Sequence, residues 1–451
     1  MRLIHGDAAD MREIEDGSVH CIVTSPPYWG LRVYDGCPAT VWKRVPECLS
    51  SEVPECEHEW EEAGTPEKNN RNGLSGGLDG EGRRPNNPEI KAASAFCRRC
   101  GAWRGCLGME PSVELFIEHL MAVMAECWRV LRADGVCWVN LGDSYSGGGR
   151  KDFGPATNRG VGEAGHNAVK ATPRQNDPGL KPKDLCLVPF RFALAAQAAG
   201  WWVRSDIIWA KPNPMPESVT DRPARSHEYV FLLAKRARYF YDAEAVREAH
   251  QEPWRSGKAE NRRMAKGGDG LSFQGWDYDQ RLYNPSGRNC RSVWNIATQS
   301  YPGAHFATFP ETLVERCVLA GTSARGVCEH CGAPWRRVVE KEVDNSRYPN
   351  GPGGQNRYEQ GVDALSTLKT VARYFTTTTG WEPACACEGN TGSARAVVLD
   401  PFCGSGTTVA VAERLGREGW GVEISRAYLD EQARKRVAPA AAQRSMFGAG
   451  L

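Results

Sequence analysis

Three groups of residues in this chain have the types and spacing that chemistry requires. The first is Thr24-Ser25-Pro26-Pro27-Tyr28-Trp29. Two consecutive prolines can neither continue a helix nor donate to a sheet ladder, so the apolar run His20-Cys21-Ile22-Val23 must stop as a strand at Thr24. The residues after it form a stiff platform with one hydroxyl (Ser25), carbonyls whose neighbours are locked, and two aromatic faces, Tyr28 and Trp29. Rigid acceptors beside a stacking ring suit a flat ring that bears an exocyclic amine. Taken alone, the stretch reads as a proline-rich turn after a strand.

The second group is Val397-Val398-Leu399-Asp400-Pro401-Phe402-Cys403-Gly404-Ser405-Gly406-Thr407-Thr408. An apolar strand enters a Gly-x-Gly turn, and the turn opens a helix. Glycines there let backbone come close to a ligand. The next strand, Gly419-Trp420-Gly421-Val422-Glu423, ends in an acid where a ribose hydroxyl sits in dinucleotide folds. The third group is cysteine-rich. Cys56-x-His58 and Cys97-x-x-Cys100-Gly101 supply four donors; Cys328-x-x-Cys331-Gly332 and Cys385-x-Cys387 supply four more. Cys-x-x-Cys-Gly is a knuckle that wraps a tetrahedral zinc ion, and four protein ligands leave no open position, so both sites read as structural. The one-residue gaps are tighter than usual, and His330 is a substitute donor. Unbound surface thiols are the alternative.

The elements that must position these groups alternate. Leu3 to Asp7 predicts a strand, Asp10 to Glu15 a short polar helix, and His20 to Thr24 the platform strand. Residues 30–105 are rich in Gly, Pro, Asn, Glu and Arg with little periodicity, and 69–87 look loop-like. Leu115, Leu120, Val123, Met124, Cys127, Val130 and Leu131 recur at helical spacing, and Val136 to Leu141 is a strand. Next come a loop over 144–183, a helix from Pro189 to Ala199 and strands at Trp202–Trp209 and Glu228–Ala234. A helix spans Phe309 to Leu319, and Gly326 to Asn390 is a second insert. No internal repeat is evident. Strands alternating with helices imply an α/β fold with a mostly parallel sheet, whose ligands sit at the carboxyl ends of the strands.

Ser-Pro-Pro-Tyr together with Asp-Pro-Phe-x-Gly-Ser-Gly-Thr resembles the DNA methyltransferases that modify exocyclic amines, cytosine N4 or adenine N6, using S-adenosylmethionine (SAM). The platform precedes the glycine turn, as in that family's permuted β group. The resemblance implies a Rossmann-like methyltransferase, and the cysteine spacing adds two zinc-ribbon-like inserts to it. It makes Ser25, Pro26, Pro27 and Tyr28 catalytic: Ser25 and the Pro26 carbonyl accept the amino protons of a flipped base, and Tyr28 stacks on it. It assigns the cofactor to Asp7, Thr308, Phe309, Pro310, Asp400, Phe402, Gly404, Ser405, Gly406, Thr407 and Glu423, with Phe309 equally readable as plain core. Serine at the first platform position is the more frequent choice among cytosine-N4 enzymes, Asp or Asn among adenine-N6 enzymes. RNA and protein-glutamine methyltransferases favour Asn-Pro-Pro-Tyr, absent here. The non-enzymatic alternative is a zinc-ribbon DNA-binding protein with a vestigial fold; an intact platform beside an intact glycine turn argues against it.

On this resemblance the chain divides into a catalytic half (1–36), a first zinc-binding insert (37–108), a continuation (109–242), a target-recognition region (243–300), a SAM-side helix (301–325), a second zinc-binding insert (326–392) and a SAM-binding half (393–440). From Ala243 to Ser292, Arg247, Arg255, Lys258, Arg262, Arg263, Lys266, Arg281, Arg288 and Arg291 interleave with Trp254, Phe273, Trp276, Tyr278 and Tyr283, a mix that suits phosphates and stacked bases. Arg222 and Arg225 are further phosphate candidates. The expected partners are double-stranded DNA and a cognate restriction endonuclease, with the protein a monomer or homodimer.

Composition sets the bounds. The chain has 451 residues, 41% of them hydrophobic, enough for a large catalytic domain with insertions. A formal charge of +1 means that any DNA surface is a local patch. No apolar run spans a bilayer, and Met1-Arg2-Leu3-Ile4-His5 leads into a strand without a signal-peptide core. Seventeen cysteines in such a chain read as reduced thiols and metal ligands in a cytoplasmic protein.

Overall fold

The computed structural model describes residues 1–30, 40–42, 56–61, 95–147, 179–249, 287–299, 309–344 and 373–439. They form two compact units. The first comprises Met1–Tyr239, Val293–Val314 and Val397–Leu451; the second comprises Phe240–Ser292 and Glu315–Ala396.

An eight-stranded sheet organises the first unit. Its strands are β1 (Arg2–His5), β2 (Val19–Thr24), β6 (Leu131–Leu141), β7 (Trp202–Ala210), β8 (His227–Ala234), β9 (Val293–Asn295), β12 (Val397–Asp400) and β13 (Glu418–Glu423), in the order β1-β13-β12-β2-β6-β8-β7-β9. Every pairing is parallel except β6 with β8 and β8 with β7. The sheet is therefore α/β and mostly parallel, as the alternating pattern implies. From β12 the chain winds outward to β13, whereas from β2 it crosses to β6 on the other side. The switch point thus falls between β12 and β2, the place where such sheets bind ligands.

Helix α1 (Val113–Val130) makes the β2-to-β6 crossover. Ser112 caps it by accepting from the Leu115 N–H at 3.2 Å. Val113, Phe116, Leu120, Val123, Met124, Cys127 and Val130 keep the helical period and are buried against the sheet with Ile22, Leu131, Val139 and Leu399. Helix α2 (Val188–Ala198) starts with proline in its first turn. Helix α3 is Glu311–Gly321. Helix α4 (Thr407–Arg414) links β12 to β13, and Val409 and Ala410 pack with Leu429, Ala433 and Val437 of the terminal segment.

No helix forms between Asp10 and Glu15. Six residues are too few to nucleate one without help, and α1 supplies competing partners. Glu126 takes the Met11 N–H at 2.9 Å, and Arg129 donates to the carbonyls of Met11 and Ile14 at 2.8 and 2.9 Å. The segment becomes turns that bury Met11 and Ile14.

The described part of the first insert is a small antiparallel sheet of β3 (Thr40–Trp42), β5 (Trp103–Gly105) and β4 (Ala95–Phe96), in that order. Trp42, Trp103 and Leu107 belong to the main hydrophobic cluster. The second unit contains an antiparallel ribbon that the sequence pattern does not announce, β10 (Trp335–Asp344) against β11 (Arg373–Pro383). Arg337 stacks over Trp381 and donates three times to the buried Asp242, at 2.9–3.1 Å. No helix of the described residues is long and apolar enough to cross a membrane.

Candidate active site and metal centres

One buried carboxylate ties the two principal motifs together. Asp400 ends β12 with 1% exposure. It accepts from Thr24 Oγ1 at 2.7 Å, from Thr408 Oγ1 at 2.7 Å and from the Phe402 N–H at 3.0 Å. Thr24 ends the platform strand and Thr408 opens α4, so this one side chain holds the platform and the glycine turn at neighbouring strand ends. Burial pushes Asp400 up to about 6, against the opposing pull of those hydrogen bonds.

The glycine turn needs its glycines. Gly404 and Gly406 have φ of +48° and +80°. A Cβ on Gly406 would press Val437 and Ala433 at 3.1–3.3 Å, but at Gly404 nothing lies closer than 3.9 Å. The backbone there is open to close approach, which suits a ligand laid across it. Glu423 ends β13 beside it: one oxygen accepts the Gly404 N–H at 2.9 Å, the other the Ser425 N–H at 2.9 Å, and burial raises its carboxyl. Asp7 comes just after β1, accepting from the Ala9 N–H and from Thr40 Oγ1 at 2.9 and 3.1 Å. The Gly6 N–H bonds the Glu423 carbonyl at 3.1 Å, so both acids stand at adjoining strand ends.

Not every residue of the turn faces outward. Arg436 donates to Ser405 Oγ and Thr407 Oγ1 at 3.0 and 2.7 Å and to Glu311 at 2.9 Å. Those two hydroxyls thus help fix the terminal segment and the start of α3. Phe402 packs on the main cluster. Pro310 is buried and Phe309 half-buried just before α3; Thr308 lies outside the described residues.

At the platform, Ser25 Oγ donates to Tyr28 Oη at 3.4 Å, and Tyr28 Oη donates to Glu228 at 2.7 Å. Asn140 donates to Tyr28 Oη and Glu228 at 2.7 and 3.0 Å, and Lys211 pairs with Glu228 from the other side. Gly142 lies so close that a Cβ there would meet the Tyr28 ring at 2.6 Å. Sequence reasoning missed Asn140, Lys211 and Glu228. The one available signal was Asn140, a polar residue inside the apolar run Val136–Leu141. The reading of Trp29 as a second aromatic face of the platform is corrected: Trp29 is 2% exposed, and its indole donates to the Glu110 carbonyl at 2.9 Å.

Both cysteine groups come together as the spacing implies. The donor atoms of Cys56, His58, Cys97 and Cys100 lie within 4.8 Å of one another, as do those of Cys328, Cys331, Cys385 and Cys387. Zinc–sulfur bonds of about 2.3 Å place tetrahedral sulfurs just under 4 Å apart, and Cys56 Sγ and Cys97 Sγ are 3.9 Å apart. The two knuckles share one backbone pattern: the Gly101 N–H bonds the Cys97 carbonyl and the Gly332 N–H that of Cys328, each at 2.9 Å, and both glycines have positive φ, +73° and +69°. The donor sets fit structural zinc.

Of the basic candidates, Arg222 stacks on Tyr145 and pairs with Glu217 at 2.8 Å, while Arg225 faces Asp143 at 3.7 Å. In the second unit Arg247 pairs with Glu244, and Arg288, Arg291 and Arg316 converge on Glu248 at 3.2–3.6 Å. Arg255, Lys258, Arg262, Arg263, Lys266 and Arg281, with the five interleaved aromatics, lie outside the described residues.

A family model described as DNA methylase, of the N6/N4 type, matches residues 19–328 and 391–435. The Type II methyltransferase M.Cfr9I of Citrobacter freundii is 35% identical over 322 residues, covering 71% of this chain and 72% of the relative. M.XycI of Xanthomonas campestris pv. cyanopsidis gives the same identity and coverage. M.SmaI of Serratia marcescens is 29% identical over 428 residues, 95% of this chain and 87% of the relative.

Proposed function

The chain belongs to the N6/N4 DNA methylase family, a SAM-dependent group, and on that premise we propose that it methylates the exocyclic N4 of cytosine in double-stranded DNA after flipping the base from the helix. The observation that carries this reading is the Thr24–Asp400–Thr408 tie, which fixes a serine-led platform beside an open glycine turn.

In this reading the flipped cytosine lies on the platform. Ser25 Oγ and the Pro26 carbonyl accept its two amino protons, which draws the nitrogen toward sp³ and frees its lone pair. Tyr28 holds the ring by its face, and its own orientation is fixed by Glu228 and Asn140. SAM would supply an electrophilic methyl group when bound, and the open backbone at Gly404, with Phe402, Ser405, Gly406 and Thr407 of the same turn, would hold it. Asp7 and Glu423 would serve its adenosine end; Thr308, Phe309 and Pro310 are the sequence candidates for its methionine end. Most of the acceleration then comes from positioning, because the leaving group needs no acid. Serine at position 25 supports cytosine over adenine. Two zinc ions hold the inserts, and a cognate endonuclease is the expected partner in the cell.

Digestion of DNA methylated in vitro to nucleosides, followed by mass spectrometry, tests the proposal. N4-methylcytosine is expected. N6-methyladenine would overturn the choice of base, and no methylated base would overturn the activity.

A further inference from the structure

A continuous path of packed polar and aromatic groups runs from the first cysteine–histidine cluster to the back of the platform. Cys97 and Cys100 lead directly into β5, where the Cys97 N–H bonds the Ala102 carbonyl at 2.7 Å. Trp103 of β5 pairs across the small sheet with Trp42. The ring of His119, on α1, stacks against both: 4.7 Å and 16° from Trp42, 5.4 Å and 25° from Trp103. His119 Nδ1 meets the wholly buried Glu110 at 3.0 Å. Glu110 then holds the platform twice. Its carboxylate accepts the Gly108 N–H at 2.8 Å, and its carbonyl accepts the Trp29 indole at 2.9 Å. Gly108 returns the contact: its carbonyl accepts the Gly30 N–H at 2.9 Å, and a Cβ at Gly108 would press the Tyr28 carbonyl and Pro27 at 3.2–3.3 Å.

Trp42, Trp103, His119, Glu110 and Trp29 are all buried. A buried carboxylate such as Glu110 is costly unless it is fully bonded. Its place therefore depends on the His119 ring, and that ring packs between two tryptophans from the cysteine-rich insert. We propose that the first cysteine–histidine cluster and Glu110 are positioning elements for the Ser25–Tyr28 platform, so that the metal held there sets turnover rather than serving DNA affinity alone. This rests on the reading of residues 25–28 as the base-holding platform.

The test uses the full chain and three variants, Glu110→Gln, His58→Ala and His58→Cys. Single-turnover methyl transfer at saturating DNA and SAM, calorimetric SAM affinity, and hydrogen exchange at the Tyr28, Trp29 and Gly30 amides are measured on each. Glu110→Gln and His58→Ala should each slow transfer at least tenfold, since displacement of about 1 Å costs up to a hundredfold. SAM affinity should stay within twofold, while the three amides exchange faster. His58→Cys, which restores a fourth donor, should recover both rate and protection. Unchanged exchange and rate with weaker DNA binding would overturn the proposal in favour of a DNA-contacting knuckle. A parallel fall in SAM affinity would overturn it in favour of general destabilisation. If the wild-type chain transfers no methyl group, the platform reading fails, and the exchange data still decide whether the cluster holds residues 28–30.

Discussion

Replacing Asp400 by Asn should stabilise this protein at neutral and alkaline pH, and not in acid. The carboxyl rises from 3.8 to about 6 on folding, because burial outweighs its two hydroxyl donors and one amide donor. A raised acid is a cost to the folded state whenever it is ionised. That cost is absent below the unfolded value, where both states are protonated, and complete above the folded one. The difference between 3.8 and about 6 corresponds to about 3 kcal/mol. Asn has the same shape and no charge. Its oxygen can keep Thr24 and the Phe402 N–H. Its amide can donate to Thr408, whose own hydroxyl has a second acceptor in the Val23 carbonyl at 3.2 Å. Urea unfolding of wild type and Asp400→Asn should therefore show the variant more stable by up to about 3 kcal/mol at pH 8. That gap should close as pH falls from about 6 to about 4. Asp400→Ala, by contrast, strands the buried Thr24 hydroxyl and the Phe402 N–H and leaves Thr408 only its Val23 acceptor, at roughly 1–3 kcal/mol for each unmatched group. It should also lose SAM binding, because the turn is no longer anchored. An Asp400→Asn variant less stable than wild type at pH 8, or a gap that does not change with pH, would refute the reasoning.

Ser25→Ala should cut turnover while leaving SAM affinity unchanged by calorimetry, since the hydroxyl meets the amine and not the cofactor. Glu228→Gln keeps an acceptor for Tyr28 but loses the charge. It should weaken base capture, read by fluorescence of a base analogue at the target position, by part of the roughly 1.5–3 kcal/mol of a charge-assisted bond. Elemental analysis of purified protein should find two zinc ions per chain, with Cys97→Ser and Cys328→Ser each losing one independently.

Much of the architecture was legible in the sequence because it is set locally. The short apolar runs at Ile22, Val139 and Leu399, bounded by Gly or Pro, read as buried strands. The proline pair after Ser25 stops a strand wherever it occurs, and Gly404 and Gly406 mark, before any fold is known, a turn whose backbone a ligand can approach. Cys-x-x-Cys-Gly encodes its own knuckle, so both donor sets could be read from spacing, although the halves of each set lie far apart along the chain. Tertiary structure alone decided what those local pieces meet. Thr24 reaches Asp400 across 376 positions because β2 and β12 are parallel neighbours in one register. Glu228 reaches Tyr28 because β8 runs antiparallel beside β6, and Lys211, just past β7, meets Glu228 from the next strand. Trp29 became core, Ser405 and Thr407 turned to Arg436, and the Asp10–Glu15 turns were captured by α1. In each case local preference was worth about 1 kcal/mol or less per residue, whereas long-range burial and pairing, fixed by strand order, were worth more.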